Sequence, residues 1–242
     1  MAALKLEPLP DEDFQRVLCV VAHPDDVEYG TSAAVAAWTA RGVKVAYLLL
    51  TGGEAGMQRP PEETRVLRAV EQRTACDLVG VSQLTVLTHP DGMLVYSLDL
   101  RRDIAREIRR FQPDVVVTGA WDIEVGWGLN QADHRAAGLA CVDAVRDADN
   151  TWVFPELAAE EDLPKWGASW LLVAGGNPPT HALDVSGEPL ERGIASLEAH
   201  ADYLADIPGH PAPRELITGF AAEQGRALGV PHAVAFRAFK LR

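Results

Sequence analysis

At 242 residues with 48% hydrophobic side chains, the chain can bury a sizeable core. Its 22 Lys and Arg stand against 35 Asp and Glu, a formal charge of -13 that argues against a nucleic-acid phosphate backbone as partner. Cys19, Cys76 and Cys141 lie far apart with no CxxC spacing, which fits a reducing cytoplasm, and neither a signal peptide nor a membrane span is expected from the hydropathy pattern.

Residues 17–22, VLCVVA, are the apolar run expected of a strand covered on both faces, and Pro24 ends it. The alanine-rich stretch 29–41 predicts a helix, and 43–50 a second buried strand closed by Thr51-Gly52-Gly53. Over 62–79, Val66, Leu67, Val70, Ala75, Leu78 and Val79 recur at helical spacing; a strand at 83–88 follows. An amphipathic helix at 98–111 and a β-branched strand at 115–118 complete the fourth alternation, and a helix over 132–147 follows. Residues 150–166 read as a loop. Beyond it come strands at 169–173 and 181–185, helices at 188–203 and 215–228, and a strand at 233–239. Such alternation predicts an α/β fold, a mostly parallel sheet with helices on both faces, whose functional loops gather at the carboxyl ends of the strands. No linker divides the chain, so a single domain over 1–242 is expected, with a core at about 17–148 and a smaller, irregular C-terminal part at about 168–242.

His23, Asp25, Asp26 and Glu28 crowd the exit of the first of these strands. His23 and Asp26, three residues apart across a Pro-containing turn, can converge on one divalent ion, with zinc the first expectation and other divalent metals open. A third ligand should come from another strand end, and His134 in NQADHRAAG is the best placed. Asp25 beside a cation would stay ionised and could accept a proton from water, while Glu28 is expected at the helix start and not as a ligand. The rival explanation is local: three acids also suit the first turn of a helix, and a lone His can cap one. Clustered acids at the end of an apolar strand favour a cation.

The segments VVAHPDDVEYG, LLLTGGEAG, RAVEQRTACDLVGV, HPDGML, QPDVVVTG and ADHRAAG, in that order between about 17 and 145, resemble the PIG-L/LmbE-like family of zinc-dependent N-deacetylases. The resemblance implies a Rossmann-like fold and removal of an acetyl group from an amino-sugar nitrogen. It implies zinc on His23, Asp26 and His134, Asp25 as general base, and sugar contacts from Arg68 and Asp91. One position departs. The family's His-x-Asp-His begins here with Gln131, whose amide can donate a hydrogen bond to developing negative charge but cannot shuttle a proton. Asp133, tied in the family to that histidine, then needs another partner, and His200 or His232 could substitute if the fold brings one near. A family glutamate near the last strand corresponds to Val234. An alternative follows, a metal- and sugar-binding protein of the same fold with weak or lost turnover. The expected partner is a small amino-sugar molecule, with no nucleic acid or membrane; a homo-oligomer is compatible with the sequence. Trp121, Trp127 and Trp152 lie in or near the cleft loops, as sugar platforms or, more in keeping with their type, loop anchors.

Overall fold

The alternation along Arg16–Val21, the central strand β2, organises the molecule. Val17, Cys19 and Val21 face one apolar cluster with Val35, Trp38, Cys76 and Val79, whereas Leu18, Val20 and the following Ala22 face a second with Leu100, Ile104, Ile108, Cys141 and Val145. A strand packed against helices on both faces has no polar side, which is why 17–22 carries no polar residue.

The computed structural model describes residues 5–242. The other strands are β1 (Glu7–Pro8), β3 (Lys44–Leu49), β4 (Gln83–Val86), β5 (Val115–Gly119), β6 (Glu124–Val125), β7 (Gly128–Leu129), β8 (Trp170–Ala174), β9 (His181–Asp184) and β10 (Ala233–Lys240). The helices are α1 (Asp26–Gly30), α2 (Ser32–Ala40), α3 (Pro61–Leu78), α4 (Leu98–Phe111), α5 (Ala132–Ala148), α6 (Glu156–Ala159), α7 (Glu188–Glu198), α8 (Ala201–Ala205) and α9 (Pro213–Leu228). Eight strands form one sheet in the order β1-β9-β10-β8-β5-β2-β3-β4, and β6 and β7 make a separate hairpin. Among the described strands of the eight-stranded sheet, only β10 runs antiparallel to its neighbours, β8 and β9. The mostly parallel α/β architecture expected from the sequence is therefore present. From β2 the chain moves outward to β3 and β4, then returns to place β5 on the other side of β2, Val17 pairing with Val115. That reversal opens a crevice at the carboxyl ends of β2 and β5, where ligands bind in open α/β sheets.

Several elements differ from the sequence pattern. The stretch 29–41 forms two helices that break at Thr31, and the loop 150–166 contains the single turn α6. The helix expected over 188–203 stops at Glu198, because His200 leaves helical geometry at ψ 46 to bury its ring, and α8 restarts after it. In α3 the face turned inward is Thr64, Arg68, Glu71, Gln72, Ala75 and Cys76, while Val66 and Val70 are 66% and 65% exposed. The apolar spacing marks the buried side only towards the end of the helix, at Ala75 and Val79; in its first half the inward residues are polar. Arg109 on α4, itself buried, donates to the carbonyls of Asp147, Ala148, Asn150, Val153 and Phe154, and so ties the end of α5 and the next loop to the core. The three cysteines are buried and unpaired. No helix among the described residues is long and apolar enough to cross a membrane.

Candidate active site

The turn after β2 is closed by its own acid: the Asp26 carboxylate accepts the His23 N–H at 2.9 Å, which aims both side chains into the crevice. His134, in the first turn of α5 after β5, enters from the opposite wall, its Nε2 3.0 Å from Asp26 Oδ1. His23 Nδ1 lies 3.6 Å from Asp26 Oδ2. His23, Asp26 and His134 thus form one group whose ligand atoms lie within 4.8 Å of one another.

Their outer partners fix which nitrogen faces inward. His23 Nε2 points at Asp91 Oδ1 at 3.0 Å and Asp133 Oδ2 at 3.4 Å, so its proton belongs on Nε2 and the Nδ1 lone pair faces Asp26. His134 Nδ1 meets Asn130 Oδ1 at 3.2 Å; Asn130 spends its own N–H groups on Ala120 O and Asp122 O, so its oxygen must face the ring. The His134 Nε2 lone pair is thereby turned to Asp26 as well. Electrostatics agree with this geometry. Burial opposes protonation of His23, but the carboxylates of Asp26, Asp133 and Asp91 outweigh it and push the ring up to about 12. His134 is raised against burial mainly by Asp26, and the two rings hold Asp26 well below the usual carboxylate range despite its burial. The carboxylates give the site surplus negative charge, which a divalent cation among the same three residues would balance. The donor set fits zinc.

His23, Asp91 and Asp133 also converge closely enough to hold an ion. The other bonds of the two acids give them a different role. Asp133 accepts the N–H groups of Gly92 and Leu94 at 2.8 and 3.1 Å, and Asp91 accepts Ala55 N–H at 2.7 Å and the Thr51 hydroxyl at 3.3 Å. Both carboxylates are saturated by the loops after β3 and β4 and orient the His23 ring.

Asp25 stands beside the group without joining it. Its Oδ1 pairs with Arg68 Nη2 at 3.1 Å, and Oδ2 is buried with no hydrogen-bond partner. Burial raises its pKa, Arg68 opposes, and the balance is about 6. Arg68 is 2% exposed and spends its guanidinium inside the protein: on Asp25, on Pro24 O at 2.6 Å, on Gly53 O at 3.1 Å, and under the Tyr203 ring, 3.9 Å from its centroid. Gly53 is required there. Its φ is +66, and a Cβ would lie 2.3 Å from Arg68 Nη1. Glu28 is buried behind Asp25, bonded by Gln72 and Ser196 rather than facing the metal group.

Gln131 precedes α5 with its side chain exposed and capping nothing. The two histidines that could have substituted for the family's histidine sit elsewhere: His200 is sealed behind the site, 3.8 Å from Glu28, and His232 lies just before β10, its backbone bonded to Ser186. Val234 is a core residue of β10. Of the tryptophans, Trp121 packs against the core while Trp127 and Trp152 are 64% and 83% exposed. Sequence spacing held no signal for Asn130, Gln72, Tyr203 or the Tyr29–His210 hydrogen bond of 2.7 Å, since each meets its partner only through tertiary packing or a turn.

With this geometry established, known proteins offer a comparison. The family model PIG-L, GlcNAc-PI de-N-acetylase, matches residues 18–145. A diacetylchitobiose deacetylase of Thermococcus kodakarensis is 31% identical over 140 residues, which are 56% of this chain and only 51% of that protein, so the chain matches about half the length of that relative. A probable N-acetyl-alpha-D-glucosaminyl L-malate deacetylase of Bacillus anthracis is 31% identical over 205 residues, covering 79% of this chain and 82% of the relative. The solved N,N'-diacetylchitobiose deacetylase of Pyrococcus horikoshii shares the fold at a TM-score of 0.85 and 22% identity, covering 96% of this chain and 86% of that one.

Proposed function

This chain belongs to the PIG-L family, and from that premise we propose that it is a metal-dependent hydrolase that removes the acetyl group from the amide nitrogen of an N-acetylglucosamine-type amino sugar or its conjugate. The observation that carries the reading is the placement of Asp25: one carboxylate oxygen neutralised by Arg68, the other buried and free, next to a His23–Asp26–His134 group suited to a divalent cation. His23, Asp26 and His134 are the proposed ligands and zinc the proposed metal. When bound, the cation supplies Lewis acidity, polarising the amide carbonyl and acidifying water.

In the proposed reaction Asp25 Oδ2 takes a proton as water adds to the amide carbonyl carbon. A carboxyl titrating near 6 is ionised at neutral pH and still basic enough for that step. The same oxygen then returns the proton to the amine nitrogen as the C–N bond breaks, releasing the free amino sugar and acetate. Gln131, exposed at the start of α5, is assigned the hydrogen bond to the developing oxyanion, and Asp133 and Asp91 the orientation of His23. Arg68, whose polar contacts are internal, serves Asp25 in this reading rather than the sugar directly.

Acetate release from N-acetylglucosamine, diacetylchitobiose and N-acetylglucosaminyl malate, with and without added zinc, tests the assignment. Zinc-dependent release is expected, with Asp25→Asn lowering kcat about 10²–10⁴-fold while metal content stays near one per chain. Wild-type turnover in that variant would remove Asp25 from the reaction. Sugar binding with no release by the wild-type protein would favour the binding-protein alternative.

A further inference from the structure

Asp25 is held by its backbone as well as by its carboxylate. Its φ of 83 lies in the left-handed region, which a residue other than glycine keeps only where its surroundings over-determine it. The α1 cap supplies no side-chain bond to hold it there. The support comes from α3. Gln72, one helical turn after Arg68 and 1% exposed, accepts the Asp25 N–H on Oε1 at 3.0 Å and donates from Nε2 to Glu28 Oε1 at 3.1 Å. Glu28 Oε1 also faces the Ser196 hydroxyl at 3.5 Å, and that hydroxyl donates to Ala75 O at 3.0 Å. These partners leave the Gln72 amide one orientation, because a backbone N–H needs the oxygen and a carboxylate oxygen needs the N–H.

We propose that Gln72, aligned by Glu28, is a positioning residue of the deacetylation: with Arg68 one turn earlier, it locks Asp25 in the left-handed geometry that leaves Oδ2 as the single proton-accepting oxygen. The proposal rests on the reading of Asp25 as the general base. Arg68 and Gln72 divide the work, one neutralising Oδ1 and the other pinning the main chain. The buried face of α3 is polar for this reason. Ser196 of α7, its hydroxyl 3.5 Å from Glu28 Oε1 and donating to Ala75 O, packs the C-terminal part of the protein against the same face of α3.

The test uses zinc-loaded protein on whichever of the three N-acetyl amino sugars the wild type turns over, with metal content and thermal melting measured on each variant. Gln72→Met, similar in length and without the acceptor, should lower kcat 10- to 100-fold with KM within twofold and metal still near one per chain. Gln72→Glu places a second carboxylate against Glu28 and should be equally impaired. The exchanged pair Glu28→Gln with Gln72→Glu keeps one donor and one acceptor in the same line and should recover kcat to within about fivefold of wild type. A folded, metal-replete Gln72→Met with kcat within twofold of wild type overturns the proposal. If that variant does not fold, the exchanged pair decides, and a kcat no higher than that of Gln72→Glu alone overturns it. Asp25→Asn in parallel separates the two levels: loss of turnover there with a normal Gln72→Met rejects only the role of Gln72, whereas an active Asp25→Asn rejects the reading of Asp25 and the proposal with it.

Discussion

Replacing Arg68 with methionine removes the cation that neutralises Asp25 while filling most of its volume. Both partners are nearly inaccessible, with side chains 2% and 5% exposed, so solvent screening does not dilute the loss. Breaking one side of such a buried pair costs about 3–5 kcal/mol when the orphaned charge has no other refuge. Here it has one, since Asp25 can take up a proton. Its pKa in the fold, about 6, already exceeds the ordinary 3.8 because burial outweighs Arg68, and without Arg68 it rises further. A group with a raised folded pKa contributes its full stability below the unfolded value and loses it as pH rises through the folded one. The deficit of Arg68→Met should therefore grow with pH. At pH 5 both proteins hold Asp25 largely protonated, and the cost is that of the Pro24 and Gly53 carbonyls left without their donor, about 1–3 kcal/mol each. Towards pH 8 the unpaired Asp25 adds to this by about 1.4 kcal/mol for each unit by which its pKa in the variant exceeds that of the wild type. Urea unfolding of metal-free wild type and variant at the two pH values, read as shifts in midpoint at a common slope, measures the difference. Equal deficits at both pH values, or one below about 1 kcal/mol at pH 8, would refute the assignment of Arg68 as partner of Asp25. In turnover assays the same variant should lose kcat with little change in KM, whereas a direct sugar contact would raise KM.

His134→Ala and His23→Ala should each lower zinc stoichiometry and turnover together, and dialysis against a chelator should abolish wild-type activity until zinc is restored; elemental analysis beside acetate release would show any separation of the two. His200 is neutral in the fold, driven down to about 3 by burial first and the Arg68 charge second. The unfolded chain therefore binds the extra proton between pH 6.5 and 3, so this stability is complete above 6.5 and is lost as pH falls through that window. With His200→Leu, the stability difference from wild type should change by up to about 1.4 kcal/mol per pH unit inside that window and level off above it, by urea midpoints at half-unit steps. Arg109→Ala strands the carbonyls at the end of α5 and in the following loop, and should lower stability by about 3–5 kcal/mol with KM and the metal site unchanged; a shift in urea midpoint worth less than about 1 kcal/mol would show that those carbonyls find other donors.

What the sequence determined by itself is what depends on short spacing. The apolar run at 17–22 announces a doubly covered strand because both of its faces meet helices, and the alternation of strands and helices is enough to place functional loops at one edge of a parallel sheet. His23 and Asp26 were legible because a Pro turn brings residues three apart together without help from the rest of the chain. His134 was legible more weakly, and only as the start of a helix after a strand that could neighbour the first. The tertiary structure alone decided the partners of these groups. Arg68 and Gln72 come to Asp25 from α3 across more than forty positions, on a face that apolar periodicity cannot find because that face is polar and the apolar residues Val66 and Val70 are exposed. The resemblance made Asp91 a sugar contact and tied Asp133 to the missing histidine; only the sheet order β5-β2-β3-β4 brings the loops after β4 and β5 together at His23. His200 ends a helix that its neighbours' spacing would continue, because burying its ring beside Glu28 requires the backbone to leave helical geometry. Ligand residues can be read from local chemistry, but the orientation and charge of each depend on groups that only packing brings near.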